Sequence, residues 1–433
     1  MAKKSNTEPT SDGLPLVAVD MGSASFKFAA AKLTGDTYPC TISILASEQS
    51  SKYSGVVKKG VVDNTSNASY RLRESMLLMS NRLSRSGELP TAFTLYGGKS
   101  LRTTDITVKR SQGTSMPVSQ KRLDDMRDEC FVKVAKSGKD RVGLDARLYS
   151  ITLDGTEYSE VPSGKNAVML EARYSTFYGN PFLRDRVQGS FDRAGKSIEQ
   201  AFARPEALVE ALADENDELT GLCIIDMGAE TTSIIVYKGG RYLTCRTLPF
   251  GGSNITSDIE YIGMSASDAE KLKLRFGSAV VEDTAANGKK YIIRVPAAQE
   301  GQQPLAVKPD FLSQVIIARL DEIMQPIFQE LKLYEDQIGV VYLTGGASKM
   351  KNMVEYVQQH TTLPVSYGSH AAWLAPGTSD EWQSPEYSAL VGALLLGAKY
   401  RQANPGKAIN KTKIVDKKPF WERIGDLFTP PAN

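Results

Sequence analysis

The chain has 433 residues, 41% of them hydrophobic and 24% charged, and a formal net charge of +2. At about 150 residues per domain, this length implies two or three domains with cores of the soluble globular kind. So small a net charge excludes a dedicated nucleic-acid binder, whose domain would be markedly basic.

Residues 1–13 are polar, lack the apolar segment of a secretory signal, and read as a disordered leader. Regular structure is expected from Leu16-Val17-Ala18-Val19-Asp20, an apolar strand that meets Met21-Gly22-Ser23 at a turn. A second apolar run over 26–31 makes this a β-hairpin with small residues at its tip. Between Thr91 and Val161 the pattern changes. Strands at 93–96, 106–109 and 148–153 surround a charged helix at about 119–136, which predicts a small α+β module.

The opening grammar returns about two hundred residues later. Leu222-Cys223-Ile224-Ile225-Asp226 is an apolar strand ending in Asp, residues 227–233 are the turn, and Ile234-Ile235-Val236-Tyr237 is the returning strand. Lys238-Gly239-Gly240-Arg241 is the next hairpin turn. Two copies of one element predict two related halves facing each other, a repeat of architecture rather than of close sequence. Residues 285–309, rich in Gly, Gln, Ala and Pro, read as a loop or ragged hairpin. A third glycine turn, Gly345-Gly346-Ala347-Ser348, follows the strand Val340-Val341-Tyr342-Leu343-Thr344. It leads into a helical pattern over 349–360, with Met350, Met353, Val354 and Val357 at three- and four-residue steps. Residues 389–398 are apolar but too short to span a bilayer, and read as a buried helix. Residues 401–418 are polar and basic, a flexible linker.

Cys40, Cys130, Cys223 and Cys245 form no CxxC pair, which speaks against a zinc or redox pair and fits a reducing compartment. The two histidines, His360 and His370, read as surface or loop residues.

A polyphosphate needs backbone N–H donors at close range, so small residues must sit at turn tips. It also needs a cation to offset its charge, which nearby carboxylates hold, often through water. Gly22, Ser23 and Ser25 with Asp20 meet this need in one half; Gly228, Thr231 and Thr232 with Asp226 meet it in the other. Asp20 and Asp226 are thus the expected Mg²⁺ residues. Lys27 lies just past the first tip, within reach of a phosphate as a point charge.

The run Asp20-Met21-Gly22-Ser23-Ala24-Ser25-Phe26-Lys27 resembles the first phosphate loop of the actin, sugar-kinase and heat-shock-chaperone superfamily. Residues 226–232, Ala229 among them, resemble its second phosphate loop. Leu343-Thr344-Gly345-Gly346-Ala347, with Met350 just beyond, resembles its adenosine loop. Ser267-Asp268-Ala269-Glu270-Lys271-Leu272-Lys273 resembles the helix segment whose Glu and Lys, here Glu270 and Lys273, meet the ribose and adenine. The resemblance covers residues 14 to 400.

Within that superfamily the chain resembles the bacterial cell-division family FtsA. Lys58-Lys59-Gly60-Val61-Val62-Asp63 is similar to the family's "KGVV.D" signature. The α+β module sits where FtsA carries its own insert. Pro249-Phe250-Gly251-Gly252-Ser253-Asn254-Ile255-Thr256 is similar to its Gly-Gly turn, which adds Gly251 and Gly252 to the implied nucleotide site. Two departures stand out: Ala229 and Glu230 replace glycines of the second loop, and Ser233 stands where an Asp is common. A Glu230 beside a triphosphate repels it unless it points away or acts through metal or water. It is the one candidate for a water-positioning role; the other reading is a solvent-facing loop residue.

At the C-terminus, Phe420, Trp421, Ile424, Leu427 and Phe428 fall on one helical stripe, with Glu422, Arg423 and Asp426 opposite and Lys417 and Lys418 before it. So short a helix is marginal alone in water. It gains order in a membrane interface with lysines near anionic lipid, or alternatively in a groove of a partner. The FtsA resemblance implies such a membrane tail.

The resemblance implies an α/β, actin-like (ribonuclease H-like) two-lobed fold with an inserted subdomain. Its organisation is a first lobe at 14–90 and 166–215, an insert at 91–165, and a second lobe at 216–400 with a smaller subdomain at about 260–315. The linker 401–418 and an amphipathic helix at 419–429 follow. It implies ATP and Mg²⁺ in the cleft, filament formation, and binding of the FtsZ C-terminal peptide and other divisome proteins. The site of action would be the cytoplasmic face of the plasma membrane, with at most slow ATP hydrolysis. Two rivals share the fold. One is a PilM-like scaffold of type IV pilus assembly. The other is a sugar or acetate kinase, which needs an acidic base over a closed substrate pocket, and no such base is found.

Overall fold

In the computed structural model, residues 15–35, 39–50, 55–83, 89–281, 292–299 and 301–404 are described. The leader, most of the linker and the amphipathic tail, with Lys417, Lys418, Phe420, Trp421, Ile424, Leu427 and Phe428, lie outside them.

The first part of the chain runs β1 (Leu16–Met21), β2 (Phe26–Thr34), β3 (Thr41–Gln49), β4 (Val57–Lys58), β5 (Val61–Val62), α1 (Thr65–Arg82) and β6 (Thr91–Tyr96). Then come β7 (Arg102–Pro117), α2 (Gln120–Lys136), β8 (Val142–Leu153), β9 (Thr156–Tyr158) and β10 (Asn166–Gly179). They are followed by α3 (Phe182–Ala194), β11 (Ser197–Ala203), α4 (Arg204–Leu212) and α5 (Glu215–Thr220). The second part runs β12 (Leu222–Met227), β13 (Thr232–Lys238), β14 (Arg241–Leu248), α6 (Gly252–Glu260), α7 (Ala266–Phe276), β15 (Ile293–Val295), β16 (Leu305–Val307) and α8 (Pro309–Lys332). It closes with β17 (Val340–Thr344), α9 (Met353–Gln358), β18 (Val365–Tyr367) and α10 (Ser388–Ala403).

The two halves repeat one topology. The first sheet has the order β11-β6-β1-β2-β3. Its β1–β2 and β2–β3 pairs are antiparallel, and its β1–β6 and β6–β11 pairs are parallel. The second sheet repeats this as β18-β17-β12-β13-β14, antiparallel through β14 and parallel through β18. β1 and β12 are buried along nearly their whole length, as strands covered on both faces must be. This is the architectural repeat that the two Asp-ended hairpins imply.

The inserted module has its own core around Val108, Met126, Cys130, Ile151 and Leu170. The helix α2 starts where Ser119 Oγ accepts a hydrogen bond from the Arg122 N–H at 3.3 Å, an N-cap. Its strands β7, β10, β8 and β9 continue the second sheet through a single register pair, Arg246 with Arg102. Two expected edges move. β6 lies in the first lobe's sheet, parallel to β1, and is no part of the module. β10 pairs with both β7 and β8, so the module reaches Gly179.

α10 also departs from its expected lobe. It packs on α4 and β1 in the first lobe's core, although the chain reaches it from the second. Leu390, Leu394 and Leu395 are fully buried, each worth about 1.5–3 kcal/mol. The two helices touch at Gly392, where a Cβ would lie 1.8 Å from the Ala207 carbonyl oxygen.

The four cysteines are free and buried. His360 is exposed at a helix end, as expected, whereas His370 lies in a loop but is buried. His370 is 1% exposed, its Nε2 lies 2.5 Å from the Trp382 carbonyl oxygen and its Nδ1 3.1 Å from Ser388 Oγ. Burial lowers its pKa. The His360 ring stacks on Phe328 at 4.3 Å.

Candidate functional site

A cleft of 1440 Å³ opens between the two lobes, lined by the tips of all three glycine turns. Of the residues that the sequence assigned to a nucleotide, Asp20, Gly22, Ser23, Ala24, Ser25, Lys27, Asp226, Gly228, Ala229, Thr231, Gly252, Glu270, Lys273, Gly345, Gly346, Ala347 and Met350 line it. Thr232 and Gly251 stand behind the wall.

The first tip is set by the β1–β2 register, which pairs Asp20 with Lys27 and leaves 22–25 to turn. A Cβ on Gly22 would sit 3.0 Å from the Ser25 carbonyl oxygen, so the tight turn favours glycine. The hydroxyl of Ser25 accepts from Gln49 Nε2 at 2.8 Å, and that of Ser23 from the Gly60 N–H at 3.4 Å.

The second tip closes by the Gly228 N–H donating to the Thr231 carbonyl at 2.8 Å. Thr232 turns the other way. It is fully buried, and its hydroxyl donates to the Phe250 carbonyl at 2.9 Å. It fixes the loop rather than offering a donor to a phosphate, as strand alternation after Thr231 requires. Behind it, the Gly252 and Ser253 N–H groups donate to the Gly228 and Ala229 carbonyls at 3.0 and 2.7 Å. Gly251 permits this approach, since a Cβ there would lie 2.5 Å from the Gly228 oxygen.

The third turn has Gly345 at φ 87° and ψ 161°. Its Hα side faces β12, and a Cβ there would meet Asp226 Oδ1 and the Met227 oxygen at 2.5 Å. The helical pattern beyond it forms a 3₁₀ turn, Gly346–Lys349, and then the shorter α9.

Glu270 and Lys273 form an ion pair at 2.7 Å on α7. Lys273 Nζ donates to the Gly252 carbonyl at 2.9 Å and Thr256 Oγ1 at 2.7 Å. The pair thus pins α7 to the start of α6, directly behind the second tip.

Glu230 is half-buried and lines the cleft. Its Oε2 accepts from the Lys59 N–H at 2.6 Å, so it ties the second tip to the Lys-Gly-Val-Val turn of the first lobe. There Gly60 and Gly98, both at positive φ, pack so closely that a Cβ on Gly60 would meet Gly98 Cα at 2.6 Å.

Lys27 reaches across the cleft to Glu386 at 3.6 Å and lies 5.7 Å from the Tyr387 ring centre. Lys349 meets the same carboxylate at 2.8 Å. Burial alone would raise the Glu386 pKa, but the two lysines outweigh it and hold it low. Sequence reading passes over Glu386, because it lies on a 3₁₀ turn far from any glycine motif.

Arg204 is the other residue that sequence reading misses. It opens α4, and its Nη1 donates to Asp20 Oδ1 and its Nε to Asp226 Oδ2, both at 2.7 Å. Burial opposes its charge, but the two aspartates prevail and raise its pKa. Direct ligation of one Mg²⁺ by Asp20 and Asp226 together therefore does not fit; the expectation is of a Mg²⁺ held through water. One oxygen of each is taken by the guanidinium. The remaining Asp226 oxygen, Oδ1, is buried without a hydrogen-bond partner against Gly345. Among the described residues no group of three or more His, Cys, Asp or Glu could hold a metal ion.

The glycine tips do fit a nucleotide. They bring small residues of both lobes to the wall of one open space, where larger side chains would fill it.

Residues 223–392 match the family model described as "Cell division protein FtsA". The cell division protein FtsA of Neisseria meningitidis is 31% identical over 257 residues, 58% of this chain and 60% of that protein. The chain thus spans less than two thirds of that relative's length. FtsA of Escherichia coli K12 is 27% identical over 298 residues, 65% of this chain and 69% of that protein. Among solved structures, a chain of the PilM-PilN type IV pilus biogenesis complex superposes with a TM-score of 0.62 at 17% identity, over 90% of this chain and 99% of its own. MreB5 of Spiroplasma citri bound to AMPPNP gives 0.51 at 11% identity, over 90% and 98%. At these identities the structural likeness shows the fold, which is actin-like. In sequence the chain is similar to FtsA.

Proposed function

We propose that this protein is an ATP-binding, self-associating actin homologue of the FtsA kind that acts in bacterial cell division. It tethers FtsZ filaments, through their C-terminal peptide, to the inner face of the plasma membrane at the division site. One observation carries the reading: three glycine turns, two of them the same Asp-ended hairpin repeated in two lobes, converge on one cleft. The similarity of residues 223–392 to FtsA supports the cell-division role over a pilus scaffold, since the likeness to the PilM complex is one of fold at 17% identity.

In this reading the tips at 22–25 and 228–231 hold the phosphates, and Gly345, Gly346, Ala347 and Met350 hold the adenosine. A bound nucleotide supplies a charged bridge between lobes that otherwise meet at the cleft through contacts such as Arg204, Glu230 and Glu386. The protein is then chiefly a scaffold. One oxygen of Glu230 is held by the Lys59 N–H, and hydrolysis in this reading is at most slow.

A short apolar stripe binds a membrane weakly, and a filament presents many copies, so avidity multiplies them. Full-length protein is expected to sediment with anionic liposomes and ATP, and a chain ending at Lys418 to stay in solution. Trp421→Glu with Phe428→Glu should release the protein equally. Sedimentation of the double variant with liposomes would sink the membrane role of the tail.

A further inference from the structure

The cleft contains a cation supplied by the chain itself. Asp20 ends β1 in the first lobe, and Asp226 ends β12 in the second. Arg204, at the start of the helix between them, bonds to both at 2.7 Å. All three line the same space as the phosphate tips. The two aspartates are 4% exposed, so their charges need a partner inside the protein. A divalent ion ligated directly by both aspartates would need the space between them. The guanidinium fills that gap, and Asp226 Oδ1 is shut in against Gly345.

Arg204 forms these bonds with Nε and Nη1 and makes no bond through Nη2 to the described residues. A guanidinium carries five N–H donors in a plane and can meet carboxylate and phosphate together. Its side chain is 25% exposed, toward the cleft that it lines.

We propose that Arg204 is the resident counter-charge of this nucleotide site. It neutralises the aspartates in place of a divalent ion and presents its outer amino group to the polyphosphate, so that binding does not depend on divalent cation. The proposal rests on the nucleotide reading above. It assigns a binding residue that neither the glycine motifs nor the FtsA likeness contains. A nucleoside diphosphate or triphosphate is the ligand class, because the adjoining tips lie on two lobes and the third glycine turn lines the same cleft.

The test is equilibrium titration of the full chain with ADP and with AMPPNP, in excess Mg²⁺ and in excess EDTA. For the wild type the dissociation constants should differ between the two conditions by less than about threefold. Arg204→Gln uncovers both carboxylates. In EDTA it should bind at least about tenfold more weakly than wild type, and Mg²⁺ should restore most of the loss. Arg204→Lys keeps a charge and should stay tolerant of EDTA. Far-ultraviolet circular dichroism checks that each variant is folded. If the Gln variant is not folded, the wild-type pair of titrations and the Lys variant decide.

Wild-type binding that collapses in EDTA overturns the proposal while leaving the nucleotide site standing. So does an Arg204→Gln protein that binds in EDTA as the wild type does. A folded wild type that binds neither ligand in either condition overturns the nucleotide reading itself, and Arg204's role with it.

Discussion

Gly345→Ala is expected to abolish the site and to lower the stability of the second lobe. Gly345 sits at φ 87° and ψ 161°, a region essentially reserved for glycine, where another residue carries about 1–3 kcal/mol of strain. The added methyl would also meet Asp226 Oδ1 and the Met227 carbonyl oxygen at 2.5 Å. Neither is the end of a flexible side chain: Asp226 is held by Arg204, and Met227 belongs to a central strand. The turn must therefore move away from β12, carrying Gly346, Ala347 and Met350 with it. Strain and contact together should cost about 3 kcal/mol and weaken nucleotide binding by at least about tenfold. Thermal melting and a titration check this. Wild-type values for both would show that the turn is not built as described.

Glu206→Gln is expected to stabilise the protein at pH 8 and to bring no gain near pH 4. Glu206, in the first turn of α4, is 2% exposed, and both its carboxylate oxygens are buried without a hydrogen bond. Arg147 of β8 offers an ion pair at 3.1 Å, but its own side chain is 44% exposed. Burial, and after it the neighbouring Asp145, raise the Glu206 pKa well above the ordinary 4.5, against the pull of Arg147.

The sign follows. Below the unfolded value, both states hold the proton and the group adds no pH dependence. As pH rises toward the folded value, the unfolded chain ionises while the folded one resists, and stability falls. Above the folded value the full cost of a buried, poorly bonded carboxylate remains. Glutamine carries no such cost and can donate to Asp145, so the gain at pH 8 should be about 1–3 kcal/mol. Denaturant unfolding at the two pH values measures it. A loss at pH 8 would mean that the Arg147 pair outweighs the burial.

The two hairpin tips were legible in the sequence because their signal is local. An apolar strand, an Asp, small turn residues and a returning strand all fall within about a dozen positions, and period-two alternation sets which side each faces. That same alternation could have turned Thr232 inward once Thr231 faced the cleft. The limits of the insert were not legible, because β6 and β10 are both apolar strands and only pairing partners far along the chain assign them. β6 finds β1 and β11, and β10 finds β7 and β8. α10 was readable as a buried helix, but its lobe is fixed by Gly392 against Ala207, a contact with no local signature. Arg204 carries no signal either. An Arg before a Pro at a helix start looks like ordinary surface chemistry until the fold sets an aspartate from each lobe against it. Glu386 and His370 were missed for the same reason: their partners lie on other elements.

The most direct test of the central claim is backbone hydrogen exchange on the full chain, with and without AMPPNP. The account predicts slower exchange with nucleotide at three separate places, residues 22–25, 228–231 and 345–350, because one ligand spans both lobes. Protection confined to one lobe, or none at these turns while AMPPNP is bound, would contradict it.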